Sequence, residues 1–183
     1  IRSLYKKEAA TTGISQVQIL SPFRSEGEAS SQGMNEAIRD EVNPAAENKP
    51  EVIRSGKLFR LNDRVMQIRN NYDITLRDSA GKQVSTGVFN GETGYITNIR
   101  SGTVTVKYDG RYADYPLESL DELELAYAMT IHKSQGSECD TVIIPMLAAH
   151  KILLSRNLLY TAVTRAKRRV LLVGQRKALY MAV

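Results

Sequence analysis

Three short apolar runs near the two ends of the chain limit what it can fold into. Val17-Gln-Ile-Leu20 is closed by Ser21-Pro22, Thr141-Val-Ile-Ile144 carries no alternation, and Arg169-Val-Leu-Leu-Val173 stops at Gly174. An unbroken run such as 141–144 fits a strand buried on both faces, as in a parallel sheet. Ala126–Ile131 reads as a further strand. Helical patterns lie between these runs. Residues 1–12 form one, with Gly13 as its stop, and Met34 to Val42 form another, with Met34, Ala37, Ile38 and Val42 on one face and Asn43-Pro44 as its end. Asn157–Lys167 is a third, and a last helix begins at Lys177 and runs to Val183. Residues 25–33, rich in Ser, Gly, Glu and Gln, read as a flexible connection.

From about residue 51 the texture changes. Arg64–Arg69, Ile74–Arg77, Val88-Phe89, Tyr95–Ile99 and Thr103–Tyr108 are short strands. Asn70-Asn71, Asp78–Gly81, Asn90-Gly91, Ser101-Gly102 and Asp109-Gly110 are turns. Strands at about ten-residue spacing joined by such turns make a small antiparallel barrel. Thr103–Tyr108 alternates with period two, so one of its faces meets water. The expected organisation is therefore an α/β parallel-sheet domain, residues 1–50 and 126–183, interrupted by a β-barrel at 51–125.

Composition excludes several classes. At 42% hydrophobic and 25% charged, the chain is globular rather than disordered. No apolar run approaches the roughly 18 residues of a membrane span, and Ile1-Arg-Ser-Leu-Tyr-Lys-Lys is no secretory leader. The missing initiator Met is what an excised piece would show. The single Cys139 excludes an internal disulfide and a multi-cysteine zinc site, and a reducing cytoplasm fits it. Cys139 and the two histidines, His132 and His150, make no metal-ligand pattern. Charge is distributed unevenly. Residues 127–183 hold nine Lys/Arg against two Asp/Glu, whereas 1–50 hold six against seven and 51–126 ten against eleven. A basic bias confined to one segment is the footprint of a polyanion partner, with a solvated face as the plain alternative.

Two motifs lie in that basic third. His132-Lys-Ser-Gln-Gly-Ser-Glu138 follows a predicted parallel strand, where ligands of open α/β sheets bind. Its hydroxyls, lysine and backbone N–H groups suit a nucleic-acid backbone, with a polar surface loop as the alternative. Around Tyr160-Thr-Ala-Val-Thr-Arg165-Ala-Lys167, Leu158, Leu159, Ala162, Val163 and Ala166 give an apolar stripe at helical spacing, expected to be core rather than functional. Arg165 is left to act on a transferred phosphoryl group, as an arginine finger does; a lone helical arginine is more often a salt-bridge partner. Arg24, in Ser21-Pro-Phe-Arg24, follows a buried strand at the same sheet edge as the 132–138 turn and could reach the same phosphates, with an ordinary surface arginine as the alternative. Tyr72 and Tyr95 offer rings to bases, although tyrosines of a small barrel are more often core or rim.

In order along the chain, these pieces resemble the C-terminal half of a RecD-like helicase of superfamily 1, the family of the exodeoxyribonuclease V alpha subunit. The residues carrying the resemblance are Val17–Pro22 with Asn43-Pro44, Asn62–Gln67 with Asn70-Asn-Tyr-Asp73, Val88-Phe-Asn-Gly-Glu-Thr-Gly94, Thr130–Glu138 and Leu159–Lys167. The resemblance implies a second RecA-like motor domain interrupted by an SH3-like barrel. It implies that Arg165 contacts the γ-phosphate and that Arg24 is a second arginine near the phosphates. Glu138, Gln135 and Gly136 would face the nucleotide. Thr130, His132, Lys133 and Ser134 would grip single-stranded DNA, with Asn70, Asn71 and Asn90 as DNA neighbours. The implied ligands are ATP and Mg2+, bound mainly by an N-terminal RecA-like domain of the same parent, and the further partners are subunits of a recombination complex.

The departure from the family is that no Gly-x-x-x-x-Gly-Lys-Ser/Thr occurs. Asp121-Glu-Leu-Glu124 follows no buried strand and is not a metal-binding acidic box. The reading is a motor half of an ATP-dependent 5′-to-3′ DNA helicase that hydrolyses no ATP alone. The alternatives are a nucleic-acid- or protein-binding module without motor activity, and a degenerate structural paralogue.

Overall fold

The computed structural model describes residues 1–25, 27, 29–100, 102–147 and 155–182. It divides into two units, Ile1–Val42 with Tyr127–Val183, and Asn43–Ala126. The chain begins with α1 (Arg2–Thr12), β1 (Val17–Ser21) and α2 (Ser31–Val42). It then forms β2 (Glu51–Arg54), β3 (Lys57–Arg60), β4 (Arg64–Gln67), β5 (Asn71–Arg77) and β6 (Gln83–Val88). β7 (Thr93–Arg100), β8 (Thr103–Tyr108), β9 (Arg111–Pro116) and β10 (Leu123–Leu125) complete the second unit. The first unit resumes with β11 (Ala128–Thr130), β12 (Cys139–Met146), α3 (Arg156–Val163), β13 (Ala166–Gly174) and α4 (Arg176–Ala182). Among the described residues no helix is long and apolar enough to cross a membrane.

In the first unit the sheet order is β11-β1-β12-β13, parallel throughout. β1 is buried at every position, as an inner strand of a parallel sheet with a neighbour on each side. Gln18 is satisfied inside by donating from Nε2 to the Tyr127 carbonyl, 3.1 Å away. α2 packs Met34 and Ile38 inward and sends Asn35 to β11. The Asn35 amide donates to the Ala128 carbonyl at 2.9 Å and accepts the Ala128 N–H at 2.7 Å. One side chain thus satisfies both backbone groups of a strand residue. α2 starts at Ser31 rather than Met34 because the Ser30 hydroxyl accepts the Gly33 N–H at 3.2 Å, as an N-cap does. β11 is shorter than the expected 126–131. The Ala126 N–H bonds to the Arg64 carbonyl of the second unit, and Ile131 already leads into a turn.

The second unit carries a seven-stranded antiparallel sheet, order β10-β4-β7-β8-β9-β5-β6, and a β2–β3 hairpin. Its core includes Phe59, Leu76, Ile96, Val106, Tyr115 and Leu123. Strands β2, β3 and β9 are not expected from the residues at 51–60 and 111–116, where charged residues break the apolar pattern. The two-residue turns there are real: Ser55 and Gly56 take φ of 49° and 74°, and Asp109 and Gly110 take 42° and 80°. Residues 43–50, expected with the parallel-sheet domain, group with this unit. The Asn43 amide donates to the Leu61 carbonyl (3.0 Å) and to the buried Asp63 carboxylate (2.8 Å), and Arg60 donates to the Asn43 carbonyl (2.7 Å).

A polar chain runs from the interior of this unit to its rim. The Tyr108 and Tyr115 hydroxyls lie 2.8 Å apart, and Tyr115 donates to Gln67 Oε1 at 2.9 Å. Gln67 Nε2 donates to Glu122 at 2.8 Å, and the same carboxylate accepts from Asn71 Nδ2 at 2.9 and 3.2 Å. Burial, which disfavours a phenolate, pushes both phenols above the usual tyrosine range.

Two outcomes are expected. A Cβ on Gly94 would lie 2.6 Å from the Lys107 carbonyl oxygen and 2.8 Å from Val106 Cγ1. Gly94→Ala should therefore cost about 1–3 kcal/mol by overpacking, read from denaturant unfolding. The raised phenols bind protons in the folded state that the unfolded chain releases above the ordinary tyrosine value of 10.0. Their contribution is constant below that pH and is lost as pH rises beyond it. Tyr108→Phe with Tyr115→Phe should flatten the alkaline fall in unfolding free energy.

Candidate functional site

Parallel register fixes two ends of the first unit's sheet. At the carboxyl end, Ser21 pairs with Thr130, and the Ile131 N–H donates to the Ser21 carbonyl at 3.1 Å. The Ser21 hydroxyl donates to Ala29 O at 2.6 Å and accepts the Phe23 N–H at 3.1 Å. The Gln32 N–H takes the Arg24 carbonyl at 3.0 Å. These bonds hold the exposed Arg24 beside the start of α2.

Residues 132–134 form one 3-10 turn after Thr130. Ser134 is buried, and its hydroxyl donates to the Ile131 carbonyl at 2.7 Å, so it braces the turn. His132 is exposed and Lys133 half-buried. The Thr130 hydroxyl accepts the Lys133 N–H at 3.4 Å. Gln135 and Gly136 are exposed, and Gly136 holds φ +87°, the left-handed region that favours glycine.

Arg165 lies at the other end. The apolar spacing predicts that it lies on a helix over 157–167. Instead α3 stops at Val163, Arg165 sits in the turn at 164–165, and Ala166-Lys167 already belong to β13. Pairing decides this. The Arg165 carbonyl accepts the Cys139 N–H at 3.1 Å, and Cys139 pairs with Ala166, drawing the chain into the sheet. The helix end is closed locally by the Thr164 hydroxyl donating to the Thr161 carbonyl at 3.0 Å.

The fold thus joins the ends of both motifs, and Glu138 lies 3.7 Å from Lys167 in an exposed ion pair. It does not join Arg24 to Arg165. Val17 pairs with Thr141, two residues beyond Cys139. Four residues of β1, about 13 Å at 3.3 Å each, then separate that level from Ser21, and Arg24 lies beyond it. Arg165 is half-buried, and its Nε is buried with no hydrogen-bond partner among the described residues. A buried donor without an acceptor is rare and needs a reason. A guanidinium in this condition fits an anionic oxygen such as a phosphate, so the residues present suit the implied ligand.

In the second unit, Asn70 and Asn90 come together across two loops. Asn70 Oδ1 accepts the Asn90 N–H at 2.9 Å, and Asn70 Nδ2 donates to the Tyr72 hydroxyl at 3.3 Å. The Asn71 side chain bonds to Glu122 and accepts the Asp73 N–H at 3.0 Å. Two of the three asparagine side chains are therefore engaged within the unit. Sequence reasoning missed Gln67 and Glu122, which organise these loops. Nothing in a single sequence marks a glutamate fifty residues away as the acceptor for Asn71. His150 lies outside the described residues.

A family model described as the UvrD-like helicase C-terminal domain matches residues 125–173, and one described as the ATP-dependent RecD-like DNA helicase SH3 domain matches residues 34–108. The ATP-dependent RecD2 DNA helicase of Deinococcus radiodurans is 33% identical over 170 residues, 93% of this chain and 22% of that protein. The RecBCD enzyme subunit RecD of Mycobacterium tuberculosis is 42% identical over 97 residues, 52% of this chain and 17% of that protein. The chain thus spans about a fifth of the length of these relatives. A crystal structure of Pif1 helicase from Bacteroides in complex with ADP-AlF3 and ssDNA has a TM-score of 0.54 at 20% identity, covering 85% of this chain and 40% of that one. Bacteroides Pif1 bound to ssDNA has a TM-score of 0.55 at 17% identity, covering 91% and 42%. At these identities the likeness concerns the fold: a RecA-like parallel-sheet unit interrupted by an SH3-like antiparallel unit.

Proposed function

The chain belongs, through both of its units, to the RecD-like DNA helicases, and from that premise we propose that it serves as the second motor domain of an ATP-dependent 5′-to-3′ helicase in DNA recombination and repair. The observation that carries the proposal is Arg165: a half-buried guanidinium with an unsatisfied buried Nε, bonded through its backbone to the end of the 132–138 turn. The polarity is carried over from the family resemblance and rests on no residue described above.

ATP with Mg2+ would supply the phosphoryl group to be transferred, held mainly by an N-terminal RecA-like domain of the same parent. Arg165 would offer donors to the γ-phosphate and stabilise charge developing there. Glu138, Gln135 and Gly136 would face the rest of the nucleotide. At the carboxyl end of the sheet, Thr130, His132 and Lys133 would meet the DNA backbone, with Ser134 holding their turn. Arg24, at that same end, suits a strand phosphate better than the γ-phosphate. Motor action would then couple two sites through one backbone segment, 130–139, which touches both ends of the sheet. Other subunits of a recombination complex are proposed partners of such a parent.

The chain by itself should hydrolyse no ATP above background, with or without single-stranded DNA. Turnover abolished by Arg165→Ala would reveal a phosphate site within these residues and overturn the half-motor reading. Where the chain is joined to a phosphate-loop domain, Arg165→Ala should lower turnover by about 10³-fold or more and leave single-strand affinity nearly unchanged. Parallel loss of both would reject the finger role. Lys133→Ala should weaken binding to all sequences alike and reduce the slope of log affinity against log salt by about 1.

A further inference from the structure

The SH3-like unit exposes an aromatic pair that its core does not use. Val88 is fully buried, yet Phe89 turns outward and is 44% exposed, and Tyr72 is 66% exposed. Their rings meet edge to face, with centroids 5.7 Å apart. The surroundings hold this pair in place. Asn70 donates to the Tyr72 hydroxyl and accepts the Asn90 N–H, while the Phe89 N–H donates to Glu92 at 3.2 Å. Gly87, at φ +92°, leaves room: a Cβ there would lie 3.3 Å from the Phe89 ring and 3.7 Å from Tyr72 Cα. From below, Gln67 accepts the Gly91 N–H through its backbone, and Glu122 ties Asn71 to Gln67.

We propose that Tyr72 and Phe89 form a nucleobase-stacking site for single-stranded DNA, with Asn70 and Asn71 acting as its scaffold rather than as DNA contacts. The inference rests on the helicase reading above. Local charge favours a base over a phosphate. Arg69, close in sequence to Tyr72, is ion-paired with Asp121, and Arg111 lies 3.7 Å from Glu92, the acceptor of the Phe89 N–H, so each of these two cations already faces a carboxylate. Beside them stand two exposed ring surfaces and the exposed, neutral Asn90. Aromatic faces accept any base, because every base has a π-face, so the site would add affinity without sequence preference.

The test compares a thymidine oligonucleotide with an abasic oligonucleotide of equal length, titrated over a range of salt. Tyr72→Ala and Phe89→Ala should each lower thymidine-oligonucleotide affinity about fivefold or more, with the salt slope unchanged and abasic binding unaffected. Tyr72→Phe and Phe89→Tyr should retain the affinity. Alanine variants that bind thymidine like the wild type, or lose affinity equally on the abasic strand, would overturn the stacking site and leave the motor reading standing. A wild-type chain that binds neither strand at any salt would overturn both.

Discussion

The first unit depends on β1 lying between two strands that the chain reaches only after the second unit has been made. Val17–Ser21 pairs in parallel with β11 on one side and with β12 on the other. Five buried residues near the N-terminus therefore knit together a sheet whose other strands all come from the last third of the sequence. The closure cost of so long a loop grows only slowly with its length. The entropic demand is moderated further because residues 43–126 fold on a core of their own. Gln18 and Asn35 complete the junction by bonding to the backbone of Tyr127 and Ala128, a polar specification that apolar burial alone would not give.

The same sheet spreads the 130–138 and 159–167 motifs along its two ends. Residues 130–134 begin at the carboxyl end beside Ser21, and residue 139 enters β12 beside Arg165 at the other. A contact at one end of this segment and a contact at the other are made by a single short stretch of backbone. Under the proposed motor role, strain at a nucleotide would reach a DNA backbone along that stretch. In the SH3-like unit the corresponding constraint is the Tyr108–Tyr115–Gln67–Glu122–Asn71 chain. Each member satisfies the next, so the buried hydroxyls and amide cost little, and the rim loops inherit the rigidity of the core.

Much of the fold is legible in the residues. The apolar run 141–144 announces a strand buried on both faces, and Asn90-Gly91 and Asp109-Gly110 announce tight turns, because those signals are local. Signals that depend on a distant partner are not legible. Helix α3 stops at Val163 although its apolar stripe continues through Ala166, because Cys139 captures the Arg165 carbonyl. The strands at 51–60 and 111–116 carry too many charges to advertise themselves, and they exist because neighbours complete their ladders. The Gln67–Glu122–Asn71 bonds join residues over fifty positions apart, beyond the reach of any window along one chain.

By itself the sequence determined the kinds of structure and the chemistry on offer: an α/β unit interrupted by an antiparallel one, a basic last third, and a polar turn followed by an arginine. Those follow from hydrophobic period, turn residues and charge, which act locally. Only tertiary structure decided which of those groups meet. Parallel register set Arg24 at one end of the first unit's sheet and Arg165 at the other, and packing left the Arg165 Nε buried without a hydrogen-bond partner among the described residues; in the antiparallel unit, packing left Tyr72 and Phe89 exposed as a pair. Register and burial are properties of chain segments packed together, and no single segment contains them.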